Sequence, residues 1–441
     1  MENVSQFFAV RGALLDFARV VAAPGDMSAG ARFVEDGLLF GQNGHILWRG
    51  PWEQGREFLP EGLPVADNRG KLVVPGFVDA HLHYPQAEMV GSPGGHLLDW
   101  LNRYTFPAER KYADAAYART MANVFIKELL RAGTTPAMVF CAVFPQSVDA
   151  LFEEALARNM RVIAGKVMMD RNAPEYLLDT AESGVAETRR LVERWHAKAR
   201  LLYAVTPRFA ITSTPEQLAA AGGLVRDFPD VYLQTHVSEN INEVAWVKEL
   251  FPNRSSYLDV YDHYGLTGSK SVFAHSLHLN ESEWLRLAET GSAVAFCPTS
   301  NLFLGSGLFN LRKAQGLGIR VGLGTDIGAG TDFCQLRTLG EAYKVMQMQG
   351  QTLSALEALY MATLGGAHAL SLDDRIGSFD QGKEADFVVL NLCATPLSAL
   401  RCNSSATLEE KLFSLMSLGD DRHIEKTYVA GCLVHDATAC A

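Results

Sequence analysis

The chain has 441 residues, of which 48% are hydrophobic and 20% are charged, and its formal net charge is −11. This composition is typical of a globular protein with a large core. The negative charge argues against a nucleic-acid partner and against binding to anionic membranes.

The two ends of the chain predict short strands separated by glycine and proline turns, with no long helix. The strand-like segments are residues 7–14, 37–40 and 45–48 near the start and residues 386–390 and 426–434 near the end. Neither flank is long enough to form a large core alone. We therefore predict one small β-sandwich domain built from both chain termini, residues 1–70 and 376–441.

The central region predicts a parallel α/β fold, because short β-branched runs alternate with longer amphipathic segments. Eight strand-like runs occupy residues 72–83, 134–140, 161–167, 201–206, 231–236, 271–275, 293–297 and 320–326. Helical segments at residues 115–132, 148–158 and 180–198 lie between them. Eight such units predict a (β/α)8 TIM barrel over residues 71–375.

Five polar side chains follow or close four of these apolar runs. His81 and His83 share one face of the first strand, because alternate residues of a strand point the same way. His236 closes the fifth run, His275 the sixth and Asp326 the eighth. Active sites of TIM barrels form at the carboxyl ends of the strands. Imidazole and carboxylate groups meeting there predict a metal site, and zinc suits such ligands.

A hydrolytic reaction is the chemistry that this site predicts. Zinc with an open position lowers the pKa of water, so that water becomes a nucleophile near neutral pH. Glu239 lies three residues after His236 and is placed to carry protons to the leaving group. We expect His275 to orient the attacking water and Asp326 to accept a proton from it.

At these residues the sequence resembles the amidohydrolase superfamily, and within it the guanine deaminases. The superfamily resemblance rests on residues 75–83, which read Pro-Gly-Phe-Val-Asp-Ala-His-Leu-His, and on residues 382–390. The resemblance to guanine deaminases rests on residues 83–86, 98–101, 105–109, 206–209, 297–301 and 324–326.

The resemblance implies hydrolytic deamination of guanine to xanthine and ammonia, one zinc ion per chain and a homodimer. It implies the zinc ligands His81, His83, His236 and Asp326, with Glu239 as the proton shuttle. We expect guanine to contact Gln86, Arg208 and Phe209 and the groups around the metal. The full predicted substrate-binding set is His83, Gln86, Arg208, Phe209, His236, Glu239 and Asp326.

The chemistry of three of these residues agrees with a purine ligand. Gln86 has both a donor and an acceptor for a purine edge, Arg208 donates, and Phe209 offers an aromatic face. From the residue types alone, Arg208 could equally form a surface ion pair, and Phe209 could be a core residue. We expect Trp100 to pack a helix rather than line the pocket.

Three other functions remain open at this point. A two-metal amide hydrolase of the dihydroorotase or hydantoinase kind would need Lys166 as a bridging group, but this lysine could simply pair with a neighbouring acid. A mononuclear deaminase or dehalogenase of another ring, such as cytosine, adenosine or a triazine, would share the metal chemistry. A non-enzymatic scaffold would be expected to have lost the ligands.

The cysteines and the N-terminus bear on the location of the protein. The seven cysteines are scattered and form no CxxC pair, so they predict neither a disulfide framework nor a cysteine metal site. The first residues have no basic segment followed by an apolar run, and hence no secretory signal is predicted. We therefore expect a cytoplasmic protein.

Overall fold

The structure is a computed structural model and describes residues 6–21, 30–94 and 97–439. The chain divides into two compact units. One comprises Met1–Val78, Glu128–Pro136 and Cys334–Ala441, and the other comprises Asp79–Lys127 and Ala137–Phe333. The domain limits given above, at residues 70 and 375, stay a prediction.

A seven-stranded sheet is built from both ends of the chain, as the sequence predicts. Its strands are β1 (Phe7–Phe17), β2 (Ala31–Gln42), β3 (His45–Pro51), β4 (Ala66–Pro75), β14 (Phe387–Leu390), β15 (Ile424–Val429) and β16 (Cys432–Asp436). The strand order is β16-β15-β14-β4-β1-β2-β3. All neighbours are antiparallel except β1 and β4. Buried Val10, Leu14, Val73 and Phe387 belong to its core.

The second sheet is the predicted barrel. Its strands are β5 (Phe77–His83), β6 (Thr134–Phe140), β7 (Arg161–Gly165), β8 (Val167–Met168), β9 (Leu201–Pro207), β10 (Tyr232–Val237), β11 (Ser271–His275), β12 (Ala293–Phe296) and β13 (Arg320–Leu323). They pair in the order β5-β6-β7-β9-β10-β11-β12-β13, and β8 continues the pairing of β7 with β9. Every residue of β5, β6, β10 and β11 is buried, as strands between a barrel interior and a helical layer should be.

Backbone hydrogen bonds bring the first barrel strand to the segment that follows the last one. The Asp326 amide donates to the His81 carbonyl at 2.9 Å, and the His83 amide donates to the Ile327 carbonyl at 2.6 Å. Gly324 permits this approach, because a Cβ there would lie 2.9 Å from the His81 Cβ. The barrel prediction is confirmed, and its first strand meets the segment after its last strand where predicted metal ligands lie.

Helices follow most of the barrel strands, and a few others lie in the two flanks. The α-helices of the described residues are α1 (Trp52–Gly55), α2 (Leu97–Trp100), α3 (Phe106–Arg110), α4 (Ala115–Arg131), α5 (Pro145–Ala157), α6 (Ala181–Trp195), α7 (Pro215–Asp227), α8 (Ile241–Leu250), α9 (Tyr257–His263), α10 (Glu281–Thr290), α11 (Pro298–Phe303), α12 (Leu311–Gly316), α13 (Gln335–Met348), α14 (Ala355–Ala362), α15 (Leu364–Ala369), α16 (Pro396–Ser404) and α17 (Leu408–Leu418). Short 3₁₀ helices lie at Arg56–Phe58, Tyr84–Met89, Lys111–Ala113, Glu175–Leu177, Ala210–Thr212 and Asp421–His423, and a π-helical turn lies at Leu101–Thr105. Within the described residues, none of these helices is both long and apolar enough to span a bilayer.

Besides shifts at the ends of individual strands, the structure differs from the sequence predictions in three elements. The predicted run 72–83 is two strands, β4 and β5, which belong to different sheets. The chain changes sheet at Gly76, where a Cβ would lie 2.0 Å from the Thr135 hydroxyl. The predicted strand 426–434 is the hairpin of β15 and β16. The C-terminal flank also holds helices α16 and α17, which begin with capping boxes at Thr395 and Thr407.

Candidate metal and substrate site

The five polar residues predicted to meet at the barrel rim do meet. His81 and His83 lie on β5, His236 on β10, and His275 ends β11. Asp326 lies three residues after the last residue of β13. All five side chains are buried. The barrel therefore brings four histidines and a carboxylate from distant parts of the chain into one place.

The ligand atoms of this cluster converge closely. The Nε2 atoms of His83 and His236 lie 3.1 Å apart. Asp326 Oδ1 lies 3.3 Å from His81 Nε2 and 3.4 Å from His83 Nε2. Two overlapping groups could each hold a metal ion, namely His81, His83 and His236, and His81, His275 and Asp326. These distances suit donors arranged around one cation, because zinc–ligand bonds are about 2.0–2.2 Å long.

The protonation states expected of these groups also fit a cation. Burial lowers the pKa of His83 to about 3 and the pKa of His236 well below its usual value, so both imidazoles are neutral. Burial opposes ionisation of Asp326, but the contacts with His81 and His83 outweigh it and hold the pKa of Asp326 well below its usual range. His81 Nε2 is buried without a hydrogen-bond partner of acceptable geometry. Neutral imidazoles beside an ionised carboxylate are a donor set for a divalent metal.

Hydrogen bonds at the far side of two rings fix the orientation of the histidines. His236 Nδ1 lies 2.7 Å from the Arg208 carbonyl oxygen, and His275 Nδ1 lies 2.9 Å from Asn301 Oδ1. Both partners are acceptors, so each Nδ1 donates and leaves the lone pair of Nε2 free. His275 and Asp326 have φ of 71° and 52°, in the left-handed region. Such backbone strain is concentrated at functional sites.

Glu239 lies beside the cluster, between β10 and the start of α8. Its Oε2 is 3.5 Å from His275 Nε2, and its Oε1 accepts a hydrogen bond from Ser306 Oγ at 3.3 Å. Its amide donates to Glu243 Oε2 at 2.8 Å. Burial, aided by the charge of Asp326, raises the pKa of Glu239 to about 8. This carboxyl group can therefore gain and lose a proton near neutral pH.

A cavity opens onto the cluster. Its apolar wall is formed by Leu97, Trp100, Leu101, Leu304 and Ala329. The rest of its lining contains the predicted residues His83, Gln86, Arg208, Phe209, His236, Glu239, His275 and Asp326. The expectation that Trp100 only packs a helix was wrong, because the side chain forms part of this wall. The cavity thus has an apolar wall opposite convergent polar groups, as ligand sites usually do.

Three buried polar residues form a linked group on the cavity, which we call the recognition triad: Gln86, Glu109 and Arg208. Gln86 Nε2 donates to Glu109 Oε1 at 3.1 Å. Arg208 Nη1 donates to Glu109 Oε1 at 2.8 Å and to Glu109 Oε2 at 3.0 Å. The side chains of Arg208 and Glu109 are only 4% and 1% exposed. The surface ion pair considered for Arg208 is therefore replaced by a buried one.

The family follows from residues 72–434, which match the family model described as "Amidohydrolase family". The chain belongs to the amidohydrolase family. Proteins named guanine deaminase are among the relatives that it resembles. The guanine deaminase of Escherichia coli is 60% identical over 97% of this chain and 98% of its own.

Solved structures agree with this relationship. The structure of E. coli guanine deaminase superposes with a TM-score of 0.95 at 59% identity and covers 98% of this chain and 99% of its own. Guanine deaminase from C. acetobutylicum, solved with guanine bound in its active site, superposes with a TM-score of 0.87 at 30% identity. This match covers 98% of this amidohydrolase and all (100%) of the neighbour. The α/β architecture with a separate sheet from the chain ends is thus that of the family.

Lys166 of this amidohydrolase is held in a buried ion pair. Its ammonium group pairs with Asp179 and lies 3.4 Å from Glu187 Oε2. Neither of the two metal-ligand groups found among the described residues contains it. The simple alternative, a lysine paired with a neighbouring acid, is confirmed.

Sequence reasoning assigned no role to three residues that the structure places at the site. Glu109 links the recognition triad, Asn301 holds His275, and Ser306 contacts Glu239. Glu109 and Asn301 are the last residues of two stretches on which the family resemblance rests, 105–109 and 297–301, and no other feature of the sequence indicated a role for them. Ser306 had no signal, since a serine in a glycine-rich loop is common.

Proposed function

We propose that the chain is a zinc-dependent guanine deaminase, which converts guanine and water to xanthine and ammonia. The observation that carries this proposal is that one cavity is lined by Gln86, Arg208 and Phe209 and by four members of the metal-ligand cluster, His83, His236, His275 and Asp326. The support from relatives is equally direct, because a protein named guanine deaminase is 60% identical over nearly the full chain.

The proposed zinc ligands are His81, His83, His236 and Asp326, with one ion per chain. The support is the convergence of their donor atoms and the neutral state of the buried imidazoles. A zinc ion in such a site supplies Lewis acidity and a lowered pKa for water. His275 lies 3.9 Å from Asp326 Oδ2 and 3.5 Å from Glu239 Oε2, so we assign it to orienting the water between these two carboxyl groups.

Proton transfer is assigned to Glu239, with Asp326 as a second acceptor. Glu239 takes one proton from the attacking water and delivers it to a ring nitrogen of guanine. The second proton of that water, which remains on the new hydroxyl group at the ring carbon, is taken up by Asp326 and passed to the amino group, which leaves as ammonia when the C–N bond breaks. A pKa raised to about 8 allows Glu239 both to take up and to deliver its proton near neutral pH. Ser306 holds one carboxyl oxygen, which leaves the other directed toward His275.

Guanine binding is assigned to Gln86, Arg208 and Phe209, together with His83, His236, Glu239 and Asp326 around the reacting carbon. The Gln86 amide and the Arg208 guanidinium supply hydrogen bonds to the polar edge of the base. Phe209 is buried and its ring lies 6.5 Å from that of His236, so an aromatic face borders the metal cluster. Trp100 and Leu101 supply the apolar wall.

The direct experiment is to follow ammonia release by the purified, zinc-loaded chain from guanine, adenine, cytosine and dihydroorotate. We expect guanine to be turned over with a kcat/KM at least about 100-fold above the others, since losing one matched set of buried hydrogen bonds costs that much or more. A preference for cytosine or adenine, or hydrolysis of dihydroorotate, would contradict the proposed substrate.

We further propose that the enzyme is a cytoplasmic homodimer that serves purine catabolism. Free thiols at every described cysteine support a reducing compartment. The dimer rests on the family resemblance. Light scattering of the purified protein tests it, with a mass near twice the 48.2 kDa of one chain as the expected result.

A further inference from the structure

The recognition triad contains a carboxylate that the proposed chemistry does not use. Glu109 lies at the end of α3, is 1% exposed, and faces both polar residues assigned to the base. A buried carboxylate is costly unless other groups compensate for it. Here its two oxygens receive one hydrogen bond from Gln86 and two from Arg208. The question is what this arrangement does for the two donors.

For Gln86, the carboxylate fixes the orientation of the amide. A carboxylate only accepts, so the amide nitrogen must face Glu109. The amide oxygen then accepts from the Gly328 amide at 3.3 Å. With both ends held, the remaining N–H and lone pair have defined directions. A neutral residue at position 109 would donate as readily as accept, and the Gln86 amide could turn over.

For Arg208, the carboxylate balances the charge. The guanidinium side chain is only 4% exposed and its one ion-pair partner among the described residues is Glu109. The pair as a whole is neutral, so a base that binds there does not need to carry a charge. Without the carboxylate, a buried cation would remain at the wall of the cavity, and such a cation attracts anions strongly at low dielectric.

We propose that Glu109 is a positioning residue that determines specificity: by orienting Gln86 and neutralising Arg208, it makes the cavity select a neutral purine over a purine anion. This inference rests on the proposed function, in that guanine is the neutral purine. It also explains why a pocket that contains a buried arginine can release xanthine, the deaminated product, which is more acidic than guanine.

The test compares the wild type with Glu109→Gln, using guanine as the neutral ligand and urate, a planar purine that is anionic at neutral pH, as the probe. We expect the KM for guanine to rise at least tenfold with a smaller change in kcat. We expect the Kd for urate, measured by calorimetry, to fall at least tenfold. Metal content should stay at one ion per chain. A purely structural role would weaken the binding of both guanine and urate. A weaker interaction with guanine together with tighter binding of urate therefore distinguishes the proposed role from a structural one.

Two further variants control for folding and for charge. Glu249→Gln removes an exposed carboxylate on α8 and should leave both constants unchanged. The double variant Glu109→Gln, Arg208→Gln removes both charges, and its affinity for urate should return to the wild-type level or below. If Glu109→Gln does not fold, Glu109→Asp should keep the preference for guanine, because it keeps the charge.

Failure of this inference is distinct from failure of the proposed function. If the wild type does not deaminate guanine, the proposed function is wrong. If the wild type does so, but Glu109→Gln binds urate no more tightly than the wild type, or if the double variant binds urate as tightly as Glu109→Gln, the role given to Glu109 is overturned.

Discussion

The two halves of the site differ in how the chain builds them. The metal cluster stands on the ends of barrel strands β5, β10 and β11 and on the segment after β13. The recognition triad instead uses a 3₁₀ turn for Gln86, helix α3 for Glu109 and the residue after β9 for Arg208. A strand end in a closed barrel has its position fixed by the sheet, whereas a helix in a loop is placed only by its contacts.

We infer from this difference that strand ends mainly determine the reaction, whereas connecting segments mainly determine which substrate binds. Under the proposed function, the barrel rim carries the metal ligands and the proton carrier, and two of the three triad residues, Gln86 and Glu109, come from connecting segments that shape what fits against them. Changes in the first half should therefore lower kcat, and changes in the second should mainly raise KM. The following variants test whether the effects on kcat and KM separate in this way.

The largest effect is expected for Glu239→Gln. An amide cannot take up and return the proton, so kcat should fall by roughly 10²–10⁴-fold, the usual contribution of a general acid–base. Metal analysis should still find one ion per chain, because Glu239 is not an assigned ligand. The matched control is Glu249→Gln, an exposed carboxylate on α8, which should keep full activity. Full activity in Glu239→Gln would remove it from the mechanism.

A smaller effect on the same half is expected for Asn301→Ala. Loss of the 2.9 Å bond to Nδ1 frees the His275 ring to rotate, and kcat should fall about 10–100-fold, as for other groups that orient site histidines. The KM for guanine should change little. Thr299→Val is the control, since Thr299 lies on the same helix and no described residue forms a hydrogen bond with its hydroxyl. A rise in KM without a fall in kcat would contradict the division.

On the other half, Gly328→Ala should act through Gln86. A Cβ at this position would lie 2.6 Å from the Gln86 carbonyl oxygen and 3.0 Å from its Cβ, so Gln86 must move. We expect about a tenfold rise in KM, which corresponds to about 1.4 kcal/mol, with kcat and metal content nearly unchanged. Steady-state kinetics with guanine measures this. A kcat loss as large as that of Asn301→Ala would show that the two halves are not separable.

The smallest effect is expected outside both halves. Thr180 caps α6 by accepting from the Ser183 amide at 3.0 Å, and Thr180→Ala should lower the free energy of unfolding by about 1 kcal/mol. Both kcat and KM should match the wild type. Thermal or denaturant unfolding measures the free energy of unfolding. A change in KM would show that a loss of stability alone can weaken substrate binding.

The sequence predicted the metal half of the site better than the recognition half, for physical reasons. A histidine or aspartate that closes a run of apolar residues is visible in the sequence, and the barrel dictates where it points, as His236 and Asp326 illustrate. Glu109 lies 23 residues from Gln86 and 99 residues from Arg208, on a five-residue helix whose placement no periodicity reveals. The predicted packing role for Trp100 was wrong for the same reason.

The fold was predictable where hydrophobic pattern and topology coincide. The predicted runs 134–140 and 271–275 match β6 and β11 to the residue. The split of residues 72–83 between two sheets was not predictable, because the apolar pattern continues across Pro75 and Gly76. The sequence analysis did not predict helices α16 and α17, although Thr395 and Thr407 are typical residues for the start of a helix. Both helices lie between strand-like segments, which favour an all-strand flank.

The proposed function depends on one cation that joins four side chains from three separate parts of the chain at the barrel rim. Anomalous diffraction at the zinc edge from crystals of the zinc-loaded chain tests it directly. The account predicts one peak per chain, within about 2.0–2.2 Å of a nitrogen of each of His81, His83 and His236 and of an Asp326 oxygen. A second peak beside Lys166, or no peak between β5 and β10, would contradict it.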